Sequence, residues 1–222
     1  MTIYLASPNN QLQAHAAEGM PVLFSFACYD PWLDRYQASY PRVLVDSGAY
    51  SEFATGKAVD VEEYRDWTDR WAGRADAIAG LDDIGGDWRR SLRNYEAQPG
   101  GFPTFHDTDP AELLDDLVPM ARERGGWLGI GLKPPRDGRR EWLRWTLDRI
   151  PDDIHVHGWA CHKYRDLPFD SIDSTAWARV PMRHAKAFPW LTYAECLDIE
   201  VKRYRRELRI ADKAPTSEDL YR

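Results

Sequence analysis

Val43-Leu44-Val45-Asp46-Ser47-Gly48-Ala49-Tyr50-Ser51 is a short β-branched run that stops on a carboxylate, a small residue and a glycine. A brief apolar run closed by a turn signal reads as a buried strand of a parallel sheet. The acid after it enters the next loop, which is where α/β proteins keep their chemistry.

The same pattern recurs on both sides. Ile3–Leu5 and Val22–Phe26 read as strands upstream, and Ala77–Leu81, Phe102–Phe105, Leu128–Ile130, Ile154–His157 and Ser171–Ile172 downstream, eight in all. Amphipathic stretches predict helices around Gln11–Glu18, Pro31–Ala38, Val61–Trp71, Trp88–Ala97, Pro110–Arg124, Arg140–Ile150 and, briefly, His162–Leu167. A long basic helix is expected around Tyr193–Ile210. Asp60 before Val61 and Asp109 before Pro110 read as N-caps. This alternation predicts an α/β fold, a compact (β/α)8 TIM-type barrel with a C-terminal basic helix, and a doubly wound open sheet is the alternative.

With 222 residues and 43% hydrophobic content, one domain spanning 1–222 is expected. The tail from about 212, through Lys213-Ala214-Pro215-Thr216-Ser217, reads as frayed. The net charge of −7 means that any nucleic acid must meet local basic patches. Candidates are Arg136 with Arg139 and Arg140, Arg179 with Arg183 and Lys186, and the C-terminal group Lys202, Arg203, Arg205, Arg206 and Arg209. Cys28, Cys161 and Cys196 form no CxxC pair and suit a reducing cytoplasm. No basic leader precedes an apolar core, and no apolar run of ~20 residues occurs, so a cytoplasmic protein without a membrane partner is expected. Phosphate-loop, nucleophile-elbow and HExxH motifs are absent from the sequence.

Other strand ends carry polar residues too. Gly80-Leu81-Asp82-Asp83 runs into Gly85-Gly86, Trp127-Leu128-Gly129-Ile130-Gly131-Leu132-Lys133 places two glycines in a strand, and Ser171-Ile172 is followed by Asp173. Two carboxylates in one pocket suit glycosidic chemistry, because their environments can push their pKa values apart.

From about Val43 to Trp177 the chain resembles the tRNA-guanine transglycosylase superfamily, barrel enzymes that exchange a guanine for a 7-deazaguanine, and its relatives that act on DNA. Asp46-Ser47-Gly48-Ala49-Tyr50 is similar to the family's Asp-Ser-Gly-Gly-Phe element, Leu81-Asp82-Asp83 to its Phe-Asp-Glu element, and the glycines at 129 and 131 to its glycine wall. The resemblance implies that Asp173 attacks C1′ of the sugar, that Asp46 is the general acid/base and that Asp82 or Asp83 reads the edge of the base. It also implies base contacts from Ser47, Tyr50, His106, Gly129, Gly131 and Lys133, stacking by Tyr50, Trp159 or Trp177, and no cofactor. The family's Cys-x-Cys-x-x-Cys zinc spacing is missing here, which favours DNA over tRNA as the partner. Excision of a modified base is slightly preferred to base exchange. Two other classes compete: a metal-dependent hydrolase built on His155, His157, Cys161 and His162, and a non-catalytic nucleic-acid-binding module.

Overall fold

The computed structural model describes residues 1–209. The chain divides into two compact units, Met1–Thr175 and Ala176–Arg222.

The first unit holds eight parallel strands: β1 (Thr2–Ala6), β2 (Val22–Ser25), β3 (Val43–Asp46), β4 (Ala77–Ile78), β5 (Thr104–His106), β6 (Trp127–Gly131), β7 (His155–Gly158) and β8 (Ser171–Ser174). Their order, β4-β3-β2-β1-β8-β7-β6-β5, makes the sheet curl in the manner of a (β/α)8 fold. The helices between strands are α1 (Gln11–Ala16), α2 (Ala49–Thr55), α3 (Val61–Thr68), α4 (Trp88–Ala97), α5 (Leu113–Glu123) and α6 (Arg140–Leu147).

A fully laddered barrel, as the sequence predicts, is not what forms. The β4 and β5 edges meet in one isolated bridge, Ala79 with Phe102, held by hydrogen bonds from Gly80 N–H to Phe102 O and from Phe102 N–H to Ile78 O, both 2.8 Å. The next residue, Pro103, has no N–H to extend a ladder, and its carbonyl accepts from Gly129 instead at 2.9 Å. Backbones crowd at this seam: a Cβ on Gly101 would lie 2.7 Å from Gly80 Cα.

Side chains alternate across each strand, so one set per strand points inward. Tyr4, Ala6, Leu23, Leu44, Ala79 and Phe102 form a buried cluster, with Ala77, Trp127 and Trp159 packed against it. Beneath it, Asp76 accepts from Tyr4 Oη at 2.5 Å and from Arg42 Nε at 2.8 Å, while Arg42 also donates to Thr2. That polar network closes the N-terminal end of the strands. Towards the C-terminal end the inward series runs on to Ser25, Asp46, His106, Gly131, Trp159 and Asp173.

Several local expectations change. Asp60 caps α3 by accepting from Glu62 and Glu63 N–H. Asp109 caps nothing: α5 begins at Leu113, and the Asp109 carboxylate accepts from His106 N–H at 2.8 Å. Pro31–Ser39 and His162–Tyr164 are 3₁₀ turns. Helix α2, and a helix over Ala176–Ala187 in the second unit, are additions.

The second unit packs α7 (Ala176–Ala187) on α8 (Tyr193–Glu207). Thr192 and Glu195 form a reciprocal capping box that starts α8. Cys196, Leu197, Val201 and Tyr204 of α8 are buried. The expected helix end at Ile210 and the tail from about 212 lie outside the described residues. No helix among the described residues is long and apolar enough to cross a membrane.

Candidate active site

Asp46 is the last residue of β3 and pairs in register with Ser25 of β2. It bonds to the Ser25 side chain and to the backbone N–H of Gly48. Gly48 sits at φ +83°, where a Cβ would come within 2.5 Å of Ala27 Cβ, so the turn that aims this N–H requires glycine. Burial pushes the Asp46 carboxyl up to about 7, the Ser25 and Gly48 bonds oppose this, and the charges of Asp82 and Asp173 add to it. Three acids from different strand ends therefore share one electrostatic field.

Asp82 lies 2.5 Å from His106 Nε2 through its Oδ2, and both side chains are almost fully buried. Burial works against a charged His106, but the bond to Asp82 and its charge outweigh this, and the imidazole pKa is raised. The ring lies against Gly131: a Cβ there would stand 2.3 Å from His106 Nδ1. That nitrogen has no protein partner.

Asp173, inside β8 rather than after it, accepts from Ala160 N–H at 2.5 Å. Ala160 holds φ +50°, a left-handed conformation that costs a non-glycine residue about 1–2 kcal/mol. The strain aims its N–H at the carboxylate. On the other side, His157 Nε2 stands 3.8 Å from Asp173 Oδ1. His157 Nδ1 and His155 Nε2 each lie 2.9 Å from Ser171 Oγ, and His155 stacks on Trp127 at 3.6 Å between ring centres. A buried line of polar groups thus runs inside the sheet from His155 through Ser171 and His157 to Asp173. Burial keeps both imidazoles below their usual pKa.

The remaining candidates divide. Ser47 is buried and its Oγ accepts from Ala49 N–H, which shapes the turn after β3. Asp83 is held by Gly86 N–H at 3.1 Å and Arg90 at 3.0 Å, so its carboxylate braces the loop after β4. The Cα space beside Gly129 and Gly131 is filled by Trp159 with Thr104 and by His106, so the glycines make room for these side chains. Gly129 N–H is already bonded to Pro103 O, so no flat wall of free amides is offered there. Trp159 is fixed by Thr104 at 3.1 Å and stacks on Phe102, while Trp177 is fully buried in the second unit, which leaves neither loose to stack on a base.

Tyr50 and Phe53 are exposed on α2, with Arg136 over the Tyr50 ring at 5.4 Å and Lys133 over the Phe53 ring at 5.9 Å. Lys133 also donates to Gly85 O at 2.9 Å. Loops after β3, β4 and β6 therefore meet in a rim of aromatic and cationic groups. Arg139 is paired with Asp107 at 3.1 Å and Arg140 with Asp166 at 2.6 Å, while Arg179, Arg183 and Lys186 lie exposed on α7 in the second unit.

The four residues suggested for a metal do not converge. His155 and His157 share the Ser171 hydroxyl, Cys161 donates to Trp159 O, and His162 bonds Arg165. Among the described residues no group of three or more His, Cys, Asp or Glu is placed to hold an ion.

No family model matches the chain, and no curated protein or solved structure is similar enough to count as a relative. Ser25 and the Ala160 N–H are site groups that the sequence argument missed. Ser25 carried a signal, as the polar end of the run Val22-Leu23-Phe24-Ser25; the Ala160 N–H carried none.

Proposed function

We propose that this chain breaks the N-glycosidic bond of a base in nucleic acid, DNA in preference to tRNA, at the mouth formed by Asp46, Asp82 and Asp173. What supports this most directly is the pairing of unlike carboxyl environments. Asp46 keeps its proton to about pH 7, whereas Asp173 accepts a short backbone hydrogen bond suited to a carboxylate. A proton-bearing acid and a second carboxyl held by a backbone N–H in one field suit the two roles of glycoside cleavage.

In this mechanism Asp173 attacks C1′ and forms a sugar ester as the bond to the base nitrogen breaks. Asp46 gives its proton to the departing base and, as a carboxylate, then takes one from water or from an incoming base. The His106–Asp82 pair supplies a donor and an acceptor for the edge of the base. The rim of Tyr50, Phe53, Lys133 and Arg136 offers a stacking face and positive charge for an extruded nucleotide. The resemblance to the transglycosylase superfamily points the same way. Excision of a modified base is favoured over exchange for a 7-deazaguanine.

Purified protein incubated with plain and base-modified phage DNA tests this. Release of a base or formation of abasic sites supports excision, and incorporation of labelled 7-deazaguanine supports exchange. Neither event on any DNA contradicts both.

A further inference from the structure

From Ser174 to Ala194 the sequence contains no Asp or Glu, in a chain that has 36 of them among 222 residues. This acid-free stretch forms α7 and the turn that follows it. Arg179, Met182, Arg183 and Lys186 fall three, four and seven residues apart, which puts them on one face of the helix. All four are exposed.

Cations elsewhere in the chain are commonly neutralised: Arg139 by Asp107, Arg140 by Asp166, Lys202 by Asp198, Arg203 by Glu200. No carboxylate among the described residues pairs with Arg179, Arg183 or Lys186. Beside them the turn exposes Trp190 to 73% and Phe188 to 41%, their ring centres 5.4 Å apart. Leaving an indole in water is unfavourable unless something covers it. Uncompensated positive charge next to open aromatic faces fits a polyanion that has stackable rings.

We propose that the outer face of α7 and the Phe188–Trp190 turn bind an unpaired segment of nucleic acid, with the cations on backbone phosphates and Trp190 and Phe188 under bases. This deepens the nucleic-acid proposal above, yet it rests on the second unit's own surface. Unpaired strand is specified because a base buried in a duplex offers no free face to Trp190.

The full chain is titrated into a fluorescent oligothymidine of ~20 nucleotides and into a blunt duplex, with anisotropy as the readout. Trp190→Ala is expected to weaken oligothymidine binding roughly tenfold and to leave duplex binding nearly unchanged. Replacing Arg179, Arg183 and Lys186 together by Ala should lower the slope of log affinity against log salt by about 2, three single-strand phosphate contacts at ~0.7 each. Circular dichroism and melting temperature should not move, since every altered side chain is exposed.

Oligothymidine binding that survives both changes overturns the proposal, as does an equal loss on duplex and single strand. A third arm uses vesicles containing phosphatidylserine: capture by vesicles but not by oligothymidine would make this a membrane-facing surface and overturn it as well. Base release by the wild-type protein, read beside its binding, separates the two proposals. Trp190-dependent binding without any base release removes the glycosidic reading alone, whereas base release with unaltered binding in Trp190→Ala removes this one alone.

Discussion

Burial raises the Asp46 carboxyl to about 7, with the charges of Asp82 and Asp173 adding to it. A carboxyl raised in the folded state favours folding only when protonated, so it lowers stability as pH climbs from about 4 to about 7, and the loss is complete above that. Asp46→Asn should therefore be more stable than the wild type at pH 8 and equal to it near pH 4. A difference of ~3 pKa units sets an upper limit of ~4 kcal/mol, reduced by solvent in the mouth. Urea denaturation at both pH values checks this, and an unchanged or lowered stability at pH 8 would contradict it. In the proposed mechanism the same proton goes to the leaving base, so base release should fall about tenfold per pH unit above pH ~7, and Asp46→Asn should lose about 10²–10⁴-fold in rate. A rate that stays flat to pH 9 would remove Asp46 from the acid role. Asp46 was legible from sequence because a carboxylate ended a β-branched run. The role of Gly131 was not, since the ring it makes room for, His106, lies on another strand.

At the level of elements, β7 and β8 are joined inside the sheet by one hydroxyl. Ser171→Ala leaves an imidazole nitrogen of His155 and another of His157 without a partner, a cost of about 1–3 kcal/mol. A change below ~0.5 kcal/mol in equilibrium unfolding would show that the bonds add nothing. The β4/β5 seam permits a paired test. Gly101→Ala drives a Cβ into Gly80 backbone at 2.7 Å, whereas Gly100→Ala meets nothing within 4 Å. Overpacking against backbone costs about 1–3 kcal/mol, so the first variant should be destabilised and the second nearly neutral. Equal stability of the two would contradict the close packing of the seam. The strands were readable because each is a short apolar run. Helices α2 and α7 were not: α2 starts from a left-handed glycine without a side-chain cap, and α7 carries Pro181 in its interior, a residue that normally argues against a helix. Both strands of the seam were read, but their pairing is cut to one bridge because Pro103 has no N–H to extend a ladder.

Across the whole molecule, a chain of net charge −7 brings acids from separate strand ends into one field and gathers exposed cations on α7. The convergence of Asp46, Asp82 and Asp173 was inferable only once the strand order was assumed, because 127 positions separate Asp46 from Asp173 in sequence. In the proposed function these acids cleave the bond between base and sugar. Mass-spectrometric detection of released bases and abasic sites on base-modified DNA, for the wild type, Asp46→Asn and Asp173→Asn, tests it most directly. Base release by the wild type that disappears in Asp173→Asn and is strongly reduced in Asp46→Asn is the predicted result; no release by the wild type, or release that persists in Asp173→Asn, would contradict it.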